Sequence, residues 1–582
     1  MVENPVIPAF NNRSDLKVYG RNALLLYALE LRLNLEDIHG VAAECLVDGP
    51  DDKKCDLVYT DREGGIAIIG QSYISETKKE AAPSNKAADL NTAASWLLAS
   101  NIDDLPERLR PHAKALRDSL NAGEIDNLTF WYAHNIAESK NSANELAQVA
   151  KTASSLLKSN YPSVSIEVTV VEVGLNTLAE WYNSTQTPIL VNEKFEVDIP
   201  GGHLIKSHAW EAYSTTVPAS WLYDLYKKHE KKLFSANLRD FLGLRRGDSN
   251  INSAIKDSAV QSPENFWAFN NGISALVNNF VPSSDGKKLS IEGISIVNGA
   301  QTTGAISDLT NPPDKLAMVQ ARFIKCSKSD IVLDIVRYNN SQNKLEAADF
   351  RSNHPVQQRL RAEFKEKYPK LLYLGGRRGI ENYDSKLTLL PSESVAQALA
   401  SFHQKPEIAY HKKSDIWLSD KEYPKLYNEN THAEHLVFVY SLDRAIRNYK
   451  LSLVQKEESG VALSQSDKDS LEFFRERGSI LILSAAIGAA METILDKQIP
   501  NPFTLKFKTM KSLEDYEKLW GPVVELFLPT RDKLLVPLNK SGGLRNTEEV
   551  TKALKETGAF IESVFKAAGK SQLEIFINSA TV

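Results

Sequence analysis

The stretch that decides the fold of the central region reads Ile294-Ser295-Ile296-Val297-Asn298-Gly299-Ala300-Gln301-Thr302-Thr303. Its first four residues are mostly apolar and predict a buried strand, and the residues after Gly299 lead into a helix. Glycine lets a backbone approach a ligand closely, and backbone N–H groups at a helix N-terminus can receive an anion. The stretch therefore predicts a phosphate-binding turn, although its spacing is neither that of a Walker A loop nor that of a dinucleotide site.

Two further asparagine-rich clusters lie beside apolar runs, at Phe266 to Ile273 and at Arg337 to Asn343. Amide side chains donate and accept hydrogen bonds without charge, so the three clusters together predict a pocket for a polar or phosphorylated ligand. The alternative is asparagine in ordinary turns and caps. The predicted ligand-binding residues are Asn270, Asn271, Asn298, Gln301, Thr302, Arg337, Asn339, Gln342 and Asn343.

Arginine is frequent in the same region, and its planar guanidinium suits phosphate oxygens. Phe266, Trp267 and Phe269 are candidates for stacking on bases, although three aromatic residues within four positions of an apolar segment are more typical of a core. Surface solvation and ion pairing are the alternative for each arginine. The predicted nucleic-acid-binding residues are Arg239, Arg245, Arg377 and Arg378.

Composition bounds the class of protein. The chain has 582 residues, of which 42% are hydrophobic and 25% charged, so two to four globular domains are expected. We find no run of eighteen apolar residues and no secretory signal, and therefore expect a cytoplasmic protein without a membrane span. Three cysteines without a CxxC spacing favour ordinary thiols. A net charge of −5 means that nucleic-acid binding has to rest on local basic patches.

The order of predicted elements indicates an α/β fold with three parts. Residues 1–185 alternate helices and strands, as expected for a mixed sheet covered by helices. Residues 200–430 form a central α+β domain, and residues 431–582 show mainly helical periodicity. We expect Thr185 to Asp198 to be a connection and Gln455 to Asp469 to be a loop.

In the first part, Asp56 begins one predicted strand and Gln71-Ser72-Tyr73 ends the next. The pattern resembles the Mrr-like branch of the PD-(D/E)xK nucleases. That resemblance implies that Asp56 and Gln71 hold Mg²⁺ or Mn²⁺ as catalytic residues, with Glu44, or alternatively Glu30, completing the site. Tyr73 stands where the family has its lysine, and Lys78 or Lys79 is the alternative source of that cation.

The central motifs occur in a fixed order: Leu233 to Gly243, Asn252 to Ile255, the three asparagine-rich clusters, then Asp349-Phe350, Pro355 with Gln357, Arg377-Arg378-Gly379 and Tyr423. Together they resemble the AIPR family, the abortive-infection phage-resistance proteins of bacteria, over about residues 215–430. The resemblance implies a role in phage defence. It does not imply a particular reaction. The phosphate-binding interpretation of the asparagine-rich clusters gives nucleic acid or a nucleotide as the expected ligand. The helical part at 431–582 leaves homo-oligomerisation open, and co-encoded defence proteins are further candidate partners.

Two classes of function remain open. In the first, a defence protein binds nucleic acid or a nucleotide through its central domain and cuts nucleic acid with a metal-dependent front domain. In the second, the front domain is an inactivated nuclease fold and the chain is a non-enzymatic regulatory or oligomerising module. Tyr73 in the lysine position weighs against catalysis, so the sequence leaves enzymatic activity undecided.

Overall fold

The computed structural model describes residues 5–582, apart from 34, 48–50, 78, 187–188, 190, 238–247, 327, 329–330, 333–334, 337–338, 340–347, 349–350, 377–386, 541 and 569. The fold is mixed α/β with a helical C-terminal region, which confirms the predicted class. Within the described residues, none of the helices combines the length and apolar content that a membrane span requires.

The first part of the described chain, residues 5–186, is built on a four-stranded sheet in the order β1-β2-β3-β4 and is called the front domain here. The first two strands are antiparallel and the other neighbours are parallel. Its elements are α1 (Val6–Asn12), α2 (Ala23–Leu33), α3 (Ile38–Cys45), β1 (Leu57–Asp61), β2 (Ile66–Tyr73), α4 (Ser84–Leu98), α5 (Arg110–Asn121), β3 (Asn127–His134), α6 (Lys140–Asn160), β4 (Glu167–Val173) and α7 (Leu175–Gln186).

Helices cover both faces of this sheet. Leu90 of α4 and Val149 of α6 share a core with Ile69 on one face, and Leu25 of α2 shares a second core with Ile68 on the other. Adjacent strand residues point to opposite faces, so β2 serves both cores. Strand β3 is buried along its whole length, as expected for a parallel strand covered on both sides.

A second sheet occupies residues 191–326 in the order β5-β10-β8-β11-β7-β6, with β9 paired to β10. Strands β8 and β11 are parallel, and the other recorded pairs are antiparallel. The elements are β5 (Val191–Asp198), β6 (Gly202–Lys206), β7 (Trp210–Pro218), α8 (Ala219–His229), α9 (Asp248–Gln261), α10 (Phe266–Phe269), β8 (Ile273–Val277), β9 (Asn279–Pro282), β10 (Lys288–Asn298), α11 (Ala300–Ser307) and β11 (Met318–Cys326).

Different elements pack on the two faces of this sheet. One face packs against α8, α9 and α11 through a large apolar core that includes Leu222, Ile255 and Ile306. The other carries a small apolar patch that includes Leu276 and Ile324, against which the helical residues Val332, Ile335 and Val336 pack. The second face is therefore covered by a segment that follows β11 in the chain.

Residues 348–582 share one hydrophobic core, so the predicted boundary at residue 430 falls inside a continuous core. We call this part the helical region. Its longest helix, Ala433–Glu458, is buried almost all round in its first half, because the helices Ser392–Phe402, Ser479–Ala489 and Leu513–Phe527 pack against it. The elements are α12 (Pro355–Lys367), β12 (Leu371–Tyr373), β13 (Thr388–Leu390), α13 (Ser392–Phe402), α14 (Pro406–His411), α15 (Asp415–Leu418), α16 (Tyr423–Leu426), α17 (Ala433–Glu458), α18 (Gln465–Arg475), α19 (Ser479–Ala489), α20 (Met491–Leu495), β14 (Lys506–Phe507), α21 (Leu513–Phe527), α22 (Arg531–Asn539), α23 (Thr547–Ala568), α24 (Glu574–Ser579) and β15 (Ala580–Thr581).

Charged and polar groups join the helical region to the front domain. Arg477 Nη2 donates to Val58 O on the edge strand β1 at 2.6 Å. Arg447 Nη1 and Ser394 Oγ both donate to Asp37 Oδ2, at 3.0 and 2.6 Å. These contacts fix the front domain against α13 and α17 of the helical region.

Two sequence predictions are wrong in detail. The predicted connection from residue 185 to 198 contains strand β5, in which Val191, Phe195 and Val197 face the neighbouring core while the residues between them are mostly exposed. The predicted loop from 455 to 469 is shorter, since α17 runs to Glu458 and α18 begins at Gln465. Ser464 accepts a hydrogen bond from Asp467 N and so caps α18.

Candidate functional site

Three polar residues form a row across neighbouring strands of the second sheet. Asn298 at the end of β10 is the register partner of Ser274 on β8, and Ser274 is in turn the partner of Arg322 on β11. Arg322 donates to the buried Ser274 Oγ through Nε at 3.1 Å and through Nη2 at 2.7 Å. The row lies on the sheet face that carries Leu276 and Ile324, because residues two apart on a strand share a face.

Asn339 forms hydrogen bonds with the two outer residues of this row, Asn298 and Arg322. Its backbone oxygen accepts from Asn298 Nδ2 at 2.8 Å, and its Oδ1 accepts from Arg322 Nη2 at 3.0 Å. Its own Nδ2 donates to Ile335 O at 2.8 Å, which ties the side chain to the helical turn before it. We call Asn298, Ser274, Arg322 and Asn339 the polar cluster. Two of the three predicted asparagine-rich segments therefore meet here.

The turn after β10 brings in the third asparagine-rich segment. Gly299 has φ +93°, and a Cβ atom there would lie 2.7 Å from Ile273 Cγ2 and 2.8 Å from Gly272 O. Thr302 Oγ1 on α11 donates to Asn271 O at 3.3 Å. Glycine is required at 299 by both its backbone conformation and this close approach, and the approach holds Asn271 beside the end of β10.

The chemistry of the polar cluster suits an anion. In the part of the chain that the structure describes, the exposed Arg322 guanidinium contacts only neutral oxygens, those of Ser274 and Asn339. Asn271 and Gln320 add exposed amides nearby, and Gln301 is half-buried in the first turn of α11. A positioned guanidinium without a carboxylate partner leaves donors for phosphate oxygens.

The structure brings together only some of the predicted residues. Asn270 lies slightly apart, since its Nδ2 donates to Phe266 O and Ser258 Oγ. Sequence reasoning missed Ser274 and Arg322, for which the available signal was a polar residue at alternate positions of two otherwise apolar strands. The predicted residues that lie outside the described part of the chain are Arg239, Arg245, Arg337, Gln342, Asn343, Arg377 and Arg378.

A second polar group lies in the front domain. Asp56 is buried and its backbone N–H bonds to Gly70 O, which places it directly opposite Gln71. Asp56 Oδ2 accepts from Ser72 N at 2.7 Å, and Oδ1 lies 3.2 Å from Arg21 Nη2. Burial raises the pKa of the Asp56 carboxyl, against the opposing effects of the Ser72 N–H and of Arg21.

Gln71 and Tyr73 complete this group. Gln71 is buried, and its Oε1 has no hydrogen-bond partner among the described residues. Lys79 Nζ donates to Tyr73 Oη at 2.5 Å, and this bond lowers the pKa of the Tyr73 phenol. Lys79, one of the two predicted alternative sources of a cation, thus contacts the phenol oxygen of Tyr73, whereas Lys78 is not among the described residues.

The predicted third metal ligands have other partners. Glu30 pairs with Arg13, while Glu44 lies among the charges of Arg477 and Arg447 at the helical region. Among the described residues, no group of three or more His, Cys, Asp or Glu side chains could hold a metal ion. Asp56 and Gln71 alone fit a Mg²⁺ or Mn²⁺ ion that keeps most of its waters, since a carboxylate and an unpaired amide oxygen are hard donors.

The fold is mixed α/β, and its second sheet carries an exposed arginine, Arg322, whose hydrogen-bond acceptors among the described residues are neutral. The family model described as AIPR protein matches residues 234–520. This range begins before α9, includes the polar cluster and continues through much of the helical region. The resemblance found from the motifs is confirmed for this segment and extends further than the motifs do. No curated protein and no solved structure matches the chain.

Proposed function

We propose that the protein acts in phage defence and binds a nucleic acid or a nucleotide through its polar cluster. The match to AIPR proteins over residues 234–520 supports the defence role, because that family is one of abortive-infection proteins. The polar cluster supports the ligand class, because it lies within the matched segment and presents a fixed cation.

The observation that carries the binding proposal is the arrangement around Arg322. Its guanidinium is held by Ser274 Oγ and Asn339 Oδ1, neither of which neutralises its charge. Such a cation has little conformational freedom left to lose when a phosphate binds. Asn298 strengthens the arrangement by fixing the backbone of Asn339.

The test is a binding assay on the purified chain with labelled DNA, RNA and ATP at low salt. Arg322→Gln should weaken binding by about tenfold or more, since a charge-assisted hydrogen bond contributes roughly 1.5–3 kcal/mol. Lys325→Gln is the matched control, because Lys325 lies on the same strand but donates to Asn279. Equal effects of the two substitutions, or no binding by the unsubstituted chain, would overturn the proposal.

A second candidate function is metal-dependent cleavage of nucleic acid by the front domain. It is supported by Gln71 Oε1, which has no hydrogen-bond partner among the described residues and lies opposite Asp56, and by Lys79 at the Tyr73 hydroxyl. A bound divalent cation would supply Lewis-acid stabilisation of a phosphoryl group. In this proposal Asp56 and Gln71 hold the cation, and Lys79 stabilises negative charge near Tyr73.

Cleavage assays with Mg²⁺ or Mn²⁺ decide this second candidate. Asp56→Ala and a chelator should each abolish cutting if the front domain is a nuclease, and Asp285→Ala, at an exposed turn of the central sheet, should not. If the unsubstituted chain cuts nothing under any of these conditions, the non-enzymatic alternative is the better account. Phage-plating assays add the biological readout: Arg322→Gln should lose protection, whereas Asp56→Ala should lose it only if cleavage matters.

A further inference from the structure

Two aromatic side chains stand exposed on α10, the helical turn that directly precedes strand β8 of the polar cluster. Trp267 is 51% exposed and Phe269 is 66% exposed, although both belong to an apolar run whose first member, Phe266, is 1% exposed. Sequence reasoning offered core packing as the alternative for these residues, and the structure places only Phe266 in the core. Exposed aromatic residues close to one another mark interaction sites more often than single exposed apolar residues do.

The helical turn that carries these rings is firmly held. Asn270 caps it, since its backbone N–H and its Nδ2 both bond to Phe266 O, at 3.2 and 3.1 Å. Asn270 Nδ2 also donates to Ser258 Oγ on α9 at 3.0 Å, and Phe266 anchors the turn in the core. The exposure of Trp267 and Phe269 is therefore a property of an ordered element and not of a loose loop.

The same turn lies against the strand that carries Arg322. Helix α10 packs on β11, and a Cβ atom at Gly272 would lie 2.1 Å from Gln320 O. Gln320 is exposed and shares a sheet face with Arg322, which lies two residues further along β11. The aromatic rings, the exposed amides and the guanidinium consequently lie at the same end of the second sheet, where β8 and β11 begin and β10 ends. We call this set, made of Trp267, Phe269, Asn271, Gln320 and Arg322, the aromatic–cation surface.

From this juxtaposition we infer that the aromatic–cation surface binds single-stranded nucleic acid, with bases stacked on Trp267 and Phe269 and the phosphate backbone at Arg322. This inference rests on the proposed function and narrows its ligand class. Aromatic rings beside a cation are the combination that binds single strands, because every base has a π-face and every nucleotide a phosphate. In a duplex the bases stack on each other, so little base surface is available for stacking on Trp267 and Phe269. A free nucleotide occupies one ring at most.

The experiment compares a fluorescein-labelled 15-nucleotide strand, as DNA and as RNA, with its own duplex and with ATP as competitor. Single strands should bind more tightly than the duplex and should be displaced poorly by ATP. Trp267→Ala and Phe269→Ala should each weaken single-strand binding by about tenfold, the usual effect of removing one stacking ring, with little effect on the duplex. Trp267→Phe should keep most of the affinity. Phe560→Ala is the matched control, since Phe560 is an exposed aromatic on α23.

The outcomes separate this inference from the proposed function. If Arg322→Gln weakens binding but the two aromatic variants do not, the result supports the anion site at Arg322 and contradicts the single-strand inference. If the aromatic variants weaken duplex and single-strand binding equally, the rings contribute no stacking and the inference falls as well. If the unsubstituted chain binds none of the probes, both fall. Melting curves of the alanine variants should match the unsubstituted chain, because both rings are exposed.

Discussion

The side-chain amide of Asn298 donates a 2.8 Å hydrogen bond to the backbone carbonyl of Asn339, and this bond ties the end of β10 to the segment that covers the sheet. Asn298→Ala should lower the stability of the central sheet by about 1 kcal/mol, the usual contribution of one partly buried hydrogen bond. It should also weaken anion binding, because Asn339 is a partner of Arg322. Calorimetry and the binding assay measure the two effects.

The control for Asn298 is a second amide pair in the same sheet. Asn278 Nδ2 donates to Asn192 Oδ1 at 2.9 Å between two exposed side chains. Water replaces such a bond readily, so Asn278→Ala should change stability and binding very little. If the two substitutions have the same effect, the bond from Asn298 has no special role.

Gly299→Ala tests the turn between β10 and α11. Alanine at φ +93° is strained, and its Cβ would lie too close to Ile273 and to Gly272 O, so the loss of stability should reach roughly 3 kcal/mol. Gly286→Ala is the control, because Gly286 has φ +69° but nothing within 4 Å of the added Cβ. Gly286→Ala should lower the free energy of unfolding by about 1 kcal/mol, which is the strain of an alanine in the left-handed backbone conformation. Equal denaturation midpoints for the two variants would show that the close approach is not tight.

Stability should depend on pH through Asp443, whose side chain is buried against Arg447. Burial raises the pKa of the Asp443 carboxyl to about 6, well above the usual range of an aspartate, although Arg447 acts in the opposite direction. The raised pKa means that its favourable contribution is complete below about pH 4 and is lost as the pH rises through 6. The stability of Asp443→Asn relative to the unsubstituted chain should therefore improve by about 2 kcal/mol between pH 4 and pH 7.

Asp37, the other carboxylate partner of Arg447, should give a pH dependence of stability with the opposite sign, which Asp37→Asn tests. Arg447, together with the Ser394 hydroxyl and Gly40 N–H, outweighs burial and holds the pKa of Asp37 below its usual value. The contribution of Asp37 is thus present above about pH 4 and is lost as the pH falls through its lowered pKa. Denaturant unfolding from pH 3 to 8 should give difference curves of opposite slope for the two variants. Parallel curves would contradict the assignment.

Arg21→Gln tests the front-domain cation site. The Arg21 guanidinium lies 3.2 Å from Asp56 Oδ1 and is largely exposed, so it competes with any cation at that carboxylate. Its removal should raise the affinity for Mn²⁺ several-fold, measured as loss of the free-ion EPR signal. Arg545→Gln is the control, since Arg545 pairs with Glu124 elsewhere on the front domain. An unchanged affinity in Arg21→Gln, or a rise of equal size in the control, would count against a metal at Asp56.

Regular elements with strong periodicity could be predicted from the sequence. The sequence predicts helices at Asn22 to Leu33, Ala143 to Ser159 and Leu513 to Phe527 and a strand at Leu128 to Ala133. The structure has them at Ala23–Leu33, Lys140–Asn160, Leu513–Phe527 and Asn127–His134. The helices Lys140–Asn160 and Leu513–Phe527 carry apolar residues at the helical period, and Ala23–Leu33 and Asn127–His134 are almost continuous apolar runs. Both signals are local properties of the chain. Strand β5 escaped prediction because its surroundings contain prolines and polar residues, and its pairing partner β10 lies about ninety residues away.

Of the residues in and around the polar cluster, only the asparagines could be predicted from the sequence. Asn298, Asn339 and Asn271 were conspicuous in the sequence, but Ser274 and Arg322 become important only through the register of β8 with β10 and β11. A one-residue shift of register would have turned both side chains to the other face. Similarly, the bond from Lys79 to Tyr73 depends on the path of the chain after β2.

The contact of Arg477 with Val58 O would be lost in a truncated chain that contains only the front domain or only the rest. A fragment cut near residue 185 would leave Arg477 without its carbonyl acceptor and Arg447 without the Asp37 carboxylate, and it would expose the edge of the first sheet. Each half of the protein holds the counterpart of a charge in the other half. Shortened versions used to assign an activity to one part would therefore lose solubility before they lose function, and single substitutions in the full chain are the sounder route.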